Sequence, residues 1–223
     1  MQSYYERVLA GERLRLCYQI APPRVQRYLR EEIRFVRDRI ARTDIVLELG
    51  CGYGRVAGQL AEAARLVVGI DVSYESLKVA RALTPAALPC RFLDMDAVHL
   101  AFAAGSFDAV VCVQNGICAF GVDQEVLLRE ALRVVKSPGR VLFSSYSERF
   151  WADRLEWFRL QAERGLVGAV DEVATRPGRI VCRDGFSVGT MTPASFQRLC
   201  CRSGVAATLT EVDGSSLFCE VRP

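Results

Sequence analysis

The hydrophobic pattern along the chain changes character twice. It is helical at the start, alternates in the middle and becomes irregular before a closing pair of strands. Short apolar runs at 45–49, 66–70, 90–93, 108–113 and 140–144 have the length and continuity of buried strands. Helix-like stretches at about 55–64, 74–82 and 123–136 separate them, which predicts a βαβα succession. That succession specifies an α/β, Rossmann-like sheet, mostly parallel, with helices on both faces. "KSPGR" at 136–140 predicts a type II turn on Pro138 and Gly139.

Residues 1–20 read as helical, and "APP" at 21–23 ends that segment before a second helix. In the second helix Val25, Leu29, Ile33, Val36 and Ile40 form an apolar stripe. Arg24, Arg27, Arg30, Arg34 and Arg37 line the other side, interrupted by Glu31, Glu32 and Asp38, as expected of a solvated face. Past residue 144 the alternation stops. "ERFWADRLEWFRLQAERG" predicts an aromatic helix, and "RIVCRDGFSVGTM" a hairpin turning at Asp184–Gly185. A helix from about Thr192 to Ser203 and two strands, "VAATLTEV" and "SLFCEVR", complete the pattern. The short "DGS" between those strands makes them antiparallel.

Composition narrows the possible partners more than it suggests any. The 223 residues suit a single domain with its own core. A net charge of +3 gives no reason to expect a nucleic-acid or membrane surface. Lys78 and Lys136 are the only lysines among 29 basic residues, a bias of arginine usage more than a binding patch. The N-terminus lacks a signal-peptide pattern and no run approaches a membrane span. Nine cysteines without a CxxC then predict free thiols in a reducing cytoplasm.

The candidate chemistry begins at "IVLELGCGYGRVA", residues 45–57, where a strand runs through Glu48 into Gly50, Gly52 and Gly54 and a helix starts. Such a turn exposes backbone N–H groups and lets a ligand approach the main chain. Its spacing fits a dinucleotide fingerprint only loosely. Asp71, after the second strand, suits any adenosine ribose. Glu48 at the mouth of the turn is easier to reconcile with a ligand ammonium than with a pyrophosphate, and Asp96 with Ala97 could meet an adenine edge.

Taken in order, "VLELGCGYGR", "VVGIDVS", "DMDAVHLAF", "SFDAVVC" and "VVKSPGRVLF" resemble the class I S-adenosylmethionine-dependent methyltransferases over about residues 43–144. The resemblance implies S-adenosylmethionine as cofactor. Glu48 with Gly50, Cys51 and Gly52 would border its methionine end, and Asp71 would bind the ribose with Val72 beside the adenine. Asp96 and Ala97 would hold the adenine edge, and Gln114 would contribute a backbone contact. Tyr18, just before the helix break, would help to close an N-terminal lid. The chain then divides into a lid (1–42), a cofactor-binding core (43–144), a substrate-cap insertion (145–191) and a closing helix and hairpin (192–223). Ligands in open α/β sheets bind beyond the carboxyl ends of the strands. Asn115, Tyr146, Arg149 and Trp151 are therefore the candidate substrate residues, with Tyr146 also the candidate catalytic group.

Competing motifs lack their context. "GFSVG" at 185–189 would need a later histidine, yet His99 is the only one and precedes it. "YESLK" at 74–78 lies on the wrong helix for a short-chain dehydrogenase pair. Asp94 and Asp96 show no third metal ligand. "QNGICAF" at 114–120 replaces the sequence carried by amide- and adenine-modifying relatives. The expectation is methyl transfer to a small-molecule acceptor. The alternatives are a non-catalytic cofactor-binding partner subunit and, less favoured, an NAD(P)-dependent oxidoreductase.

Overall fold

A computed structural model describes residues 4–223. The helical start is two helices, α1 (Tyr4–Arg7) and α2 (Gly11–Gln19), and the first three residues of the expected segment lie outside the described range. α3 (Pro23–Arg37) starts on Pro23, whose fixed φ suits the first helical position. Its apolar stripe is buried, but so is Glu32, which the sequence had placed among the solvated residues. Tyr28 and Glu32 are four apart on the face that meets the sheet.

β1 (Ile45–Leu49), α4 (Arg55–Ala61), β2 (Leu66–Asp71), α5 (Tyr74–Leu83), β3 (Cys90–Asp94) and β4 (Phe107–Cys112) then alternate. A short α6 (Gly116–Ala119) follows β4, and α7 (Gln124–Val134) runs into β5 (Val135–Tyr146). Local capping fixes where helices begin. Ser73 Oγ accepts the Ser76 N–H at α5, and the Asp123 carboxylate accepts the Glu125 and Val126 amides at α7. The remaining elements are a 3₁₀ turn at Glu148–Phe150, α8 (Trp151–Glu163), β6 (Ile180–Val181), β7 (Ser187–Val188), α9 (Pro193–Arg202), β8 (Ala207–Val212) and β9 (Ser216–Val221). β6 and β7 form the expected small hairpin around Asp184–Gly185.

Seven strands make one sheet in the order β3-β2-β1-β4-β5-β9-β8. β1 to β5 are parallel, while β9 runs antiparallel to both β5 and β8. The order reverses between β1 and β4, so a crevice opens there beyond the carboxyl ends of the strands. "KSPGR" is not a type II turn. The Ser137–Pro138 peptide is cis, Gly139 is not at positive φ, and the stretch bulges where pairing jumps from Phe107↔Val135 to Ala109↔Arg140.

Alternate residues of β1 serve opposite faces, as a doubly covered strand requires. Leu47 and Leu49 join α7 and α9 through Leu127, Leu128, Phe196 and Leu199. Val46 joins α3, α4 and α5 through Ile33, Leu60 and Leu77. A third cluster caps the carboxyl ends of the strands: Leu9 and Cys17 from the N-terminal helices meet Phe158, Ile180 and Phe186. Tyr146, Tyr28, Phe150 and Trp157 form a fourth beside it.

Candidate cofactor and acceptor site

The glycine turn between β1 and α4 is held open by backbone geometry. Gly50 lies at φ +69°, and a Cβ there would come within 2.4 Å of the Phe120 ring. No other residue meets both conditions. Gly52 stands under Leu14 of α2, so the N-terminal segment and α6 both cover the turn.

Glu48 is 3 % exposed at the end of β1. Burial pushes its carboxyl up to about 8, opposed by the Arg55 guanidinium and the Ala57 amide. Its Oε2 has no hydrogen-bond partner among the described residues. Arg55, the first residue of α4, has buried Nε and Nη2 atoms that also lack partners, and its guanidinium lies 5.2 Å from the Tyr18 ring. Tyr18 packs between Tyr53 and Trp157 at 5.6 Å from each. The mouth of the turn therefore holds a buried carboxyl and a half-buried guanidinium with two inaccessible nitrogens, each with spare hydrogen-bonding capacity. That pair complements the ammonium and carboxylate of an α-amino acid.

Asp71 ends β2 with its carboxylate turned into the same crevice, where it accepts the Gly52 N–H and the Ser73 N–H, both at 2.8 Å. Two bonds leave acceptor positions free, since a carboxylate offers about four. Burial raises its pKa, and the two amides oppose that rise. Val72 is exposed, Ala97 is buried, and Asp96 accepts the Val98 N–H at 3.0 Å while facing His99. The residues present therefore fit S-adenosylmethionine. Acidic and basic groups are free for its amino-acid end, and a carboxylate is free at the ribose position.

Past β4, Gln114 and Asn115 both adopt positive φ. The Gln114 N–H donates to Ser144 Oγ (2.9 Å), so that amide is already engaged. Ser144 Oγ in turn donates to Glu32 (2.6 Å), a wholly buried carboxyl that burial pushes up to about 7. Asn115 accepts from Ser145 Oγ (2.6 Å) and donates to the Gly189 carbonyl (3.0 Å), which joins the β4 and β5 ends to the segment after β7.

Tyr146, at the end of β5, packs 5.3 Å from the Tyr28 ring and 4.5 Å from the Arg154 guanidinium. Burial raises its pKa, so the hydroxyl stays protonated at neutral pH. Trp151 is half-buried against the cap cluster. Arg149 is not brought to this group: its side chain is 78 % exposed and faces Glu211 at 3.7 Å. The sequence reading missed Arg55, Glu32 and Arg154. Arg55 had a signal, its place directly after Gly54 at a helix start. Arg154 had none, being one of two arginines on α8.

This is a seven-stranded Rossmann-like fold with a crevice at its topological switch point. Residues 46–139 match a family model described as a methyltransferase domain. That match spans somewhat less than half of the chain and is consistent with the class I S-adenosylmethionine-dependent methyltransferases, with S-adenosylmethionine as the cofactor it supports. It is 32 % identical over 148 residues to a 2-methyl-6-phytyl-1,4-hydroquinone methyltransferase of Synechocystis sp., covering 62 % of this chain and 46 % of that protein. It is 37 % identical over 123 residues to an arsenite methyltransferase of Aquipseudomonas alcaligenes, covering 49 % and 35 %. The chain thus spans less than half the length of these curated relatives. It shares its fold with magnesium protoporphyrin IX methyltransferase from Synechocystis PCC 6803 with bound SAH (S-adenosylhomocysteine), at TM-score 0.64, 20 % identity and coverage of 99 % and 96 %.

Proposed function

We propose that the protein transfers a methyl group from S-adenosylmethionine to a small-molecule acceptor held between the strand ends and the cap. The observation that carries this reading is the pairing of a buried, underused Glu48 with a half-buried Arg55 whose Nε and Nη2 are unpartnered, at a glycine turn. A dinucleotide pyrophosphate offers Glu48 no cation to pair with, whereas an amino-acid zwitterion gives both residues a partner of opposite charge. Asp71 takes the ribose hydroxyls with Val72 beside the adenine, Asp96 and Ala97 hold the adenine edge, and Gly50, Cys51 and Gly52 border the methionine end.

When bound, the cofactor supplies a sulfonium methyl that is already activated. The protein's own tasks are therefore alignment and exclusion of water. α2 lies over the glycine turn through Leu14, and Tyr18 and Trp157 close its side. Tyr146 and Asn115 face the acceptor space, where the protonated Tyr146 hydroxyl orients the acceptor by donating a hydrogen bond. Segments 4–37 and 148–191 act as lid and cap.

Isothermal titration with S-adenosylhomocysteine and with NAD separates this reading from an oxidoreductase. Transfer of labelled methyl from S-adenosylmethionine into cell-extract metabolites separates it from a non-catalytic cofactor-binding subunit. Asp71→Ala should weaken S-adenosylhomocysteine roughly 10- to 150-fold, as expected for loss of one charge-assisted bond. Tight NAD binding without S-adenosylhomocysteine binding would end the proposal, and so would cofactor binding with no labelled product.

A further inference from the structure

Arg154 is the only arginine that the described residues bury, at 1 % exposure, and no carboxylate forms an ion pair with it. Its Nη2 makes only two long contacts, to the Val188 carbonyl (3.3 Å) and the Gly189 carbonyl (3.4 Å). The better of the Gly189 bonds already belongs to Asn115 at 3.0 Å. Nε and Nη1 have no partner among the described residues. Its other neighbours are rings: Tyr146 at 4.5 Å and Phe158 at 5.8 Å from the guanidinium carbon. The groups that act on it most through charge are Tyr146, Tyr5, Tyr28 and Cys118, none of them a carboxylate.

A dry guanidinium with idle donors is costly to keep unless something satisfies it. Its surroundings place it in the acceptor space. Through Gly189 it shares a carbonyl with Asn115 at the end of β4, and it stacks on Tyr146 at the end of β5.

We propose that Arg154 anchors the acceptor by a carboxylate, and that the acceptor is a small acid with an apolar body suited to the aromatic rings around that guanidinium. A monoanion is favoured over a phosphate because one guanidinium supplies a single positive charge. The only two lysines of the chain, Lys78 and Lys136, pair with Glu75 and Asp108. The N-terminal helices lie close to this corner, since the Cys17 carbonyl of α2 accepts from Trp157 Nε1 at 2.8 Å, one turn on from Arg154. The inference rests on the methyltransferase reading and extends it to substrate class.

The experiment uses the full chain saturated with S-adenosylhomocysteine and titrates paired probes: benzoate against benzamide, and 4-hydroxybenzoate against 4-hydroxybenzamide. At least one acid should bind about tenfold or more tightly than its amide. Arg154→Met should abolish that preference while leaving S-adenosylhomocysteine affinity within about twofold, a split that a purely structural arginine would not produce. If Arg154→Met does not fold, Arg154→Lys decides by the same ratio, because a shorter ammonium cannot reach the guanidinium's contacts. Acids and amides binding equally would overturn the proposal, as would a preference that survives both substitutions. Failure to bind S-adenosylhomocysteine at all would instead remove the methyltransferase reading beneath it.

Discussion

Glu48 shows how one residue can couple ligand binding to protonation. Burial lifts its carboxyl from an ordinary 4.5 to about 8, so without ligand it is largely neutral at pH 7. A folded-state pKa above the unfolded value means the native state binds the proton more tightly. The associated stability is fully present below about 4.5 and is lost as pH rises through about 8. Glu32, raised to about 7 by its own burial, adds a second fall over the lower part of that window. The melting temperature of the ligand-free protein should therefore decline from pH 5 to pH 8, and Glu48→Gln should flatten part of the decline. A ligand ammonium reverses the preference by favouring the carboxylate. Binding S-adenosylhomocysteine at pH 7 should then release close to one proton, read as a dependence of the calorimetric heat on buffer ionisation enthalpy. Equal heats in phosphate and Tris, or an unchanged difference in Glu48→Gln, would take Glu48 out of contact with the amino end.

At the scale of elements, α2 is the piece whose position matters most to the site. Four bonds among the described residues hold it: the Gly11 N–H to Ser76 Oγ at 3.0 Å, Arg13 Nε to the Leu166 carbonyl at 2.9 Å, Arg13 Nη2 to the Gly165 carbonyl, and Trp157 Nε1 to the Cys17 carbonyl. None of them involves the sheet. Deleting residues 1–20 should therefore abolish turnover and bare the Phe158 and Phe186 face, while strand circular dichroism and cooperative unfolding persist at a lower melting temperature. Full activity in the truncated protein would exclude a lid role. The sequence made β1, β2 and β4 legible because buried strands leave uninterrupted apolar runs, and the closing pair legible because its residues alternate around a short turn; neither signal depends on distant partners. Glu32 was misjudged for the opposite reason. Its burial depends on Ser144, 112 residues away, and an acid in a polar-looking row carries no local mark of that bond. The type II turn failed similarly, since Pro138 and Gly139 suit that turn locally but sit in a bulge set by pairing with β4. Asp71 was legible from its place at a strand end, whereas Arg154 owes its setting wholly to tertiary packing.

The whole molecule divides into a sheet sandwiched by helices and a cap built from two separated stretches of chain. The sheet's two clusters, around Leu47 and Val46, are contiguous and deeply buried. The cap's cluster draws on α2, α8 and the β6–β7 hairpin, and its strands are only two residues each. Regions with few buried apolar contacts and short hydrogen-bond ladders open at lower free energy than the core. On the proposed reading, a cofactor reaching Glu48 and an acceptor reaching its methyl group enter under this roof, because Leu14 stands over Gly52 and Phe120 over Gly50. Hydrogen exchange should therefore be slowest in β1, β4 and β5 and much faster in α2 and the hairpin. Adding S-adenosylhomocysteine should slow α2 and the glycine turn together, since one ligand would tie both down, while β3 at the sheet edge changes little. If α2 exchanges as slowly as β1 without ligand, the roof is static and both ligands must enter elsewhere. If only the glycine turn responds to ligand, α2 is a covering element and not a lid.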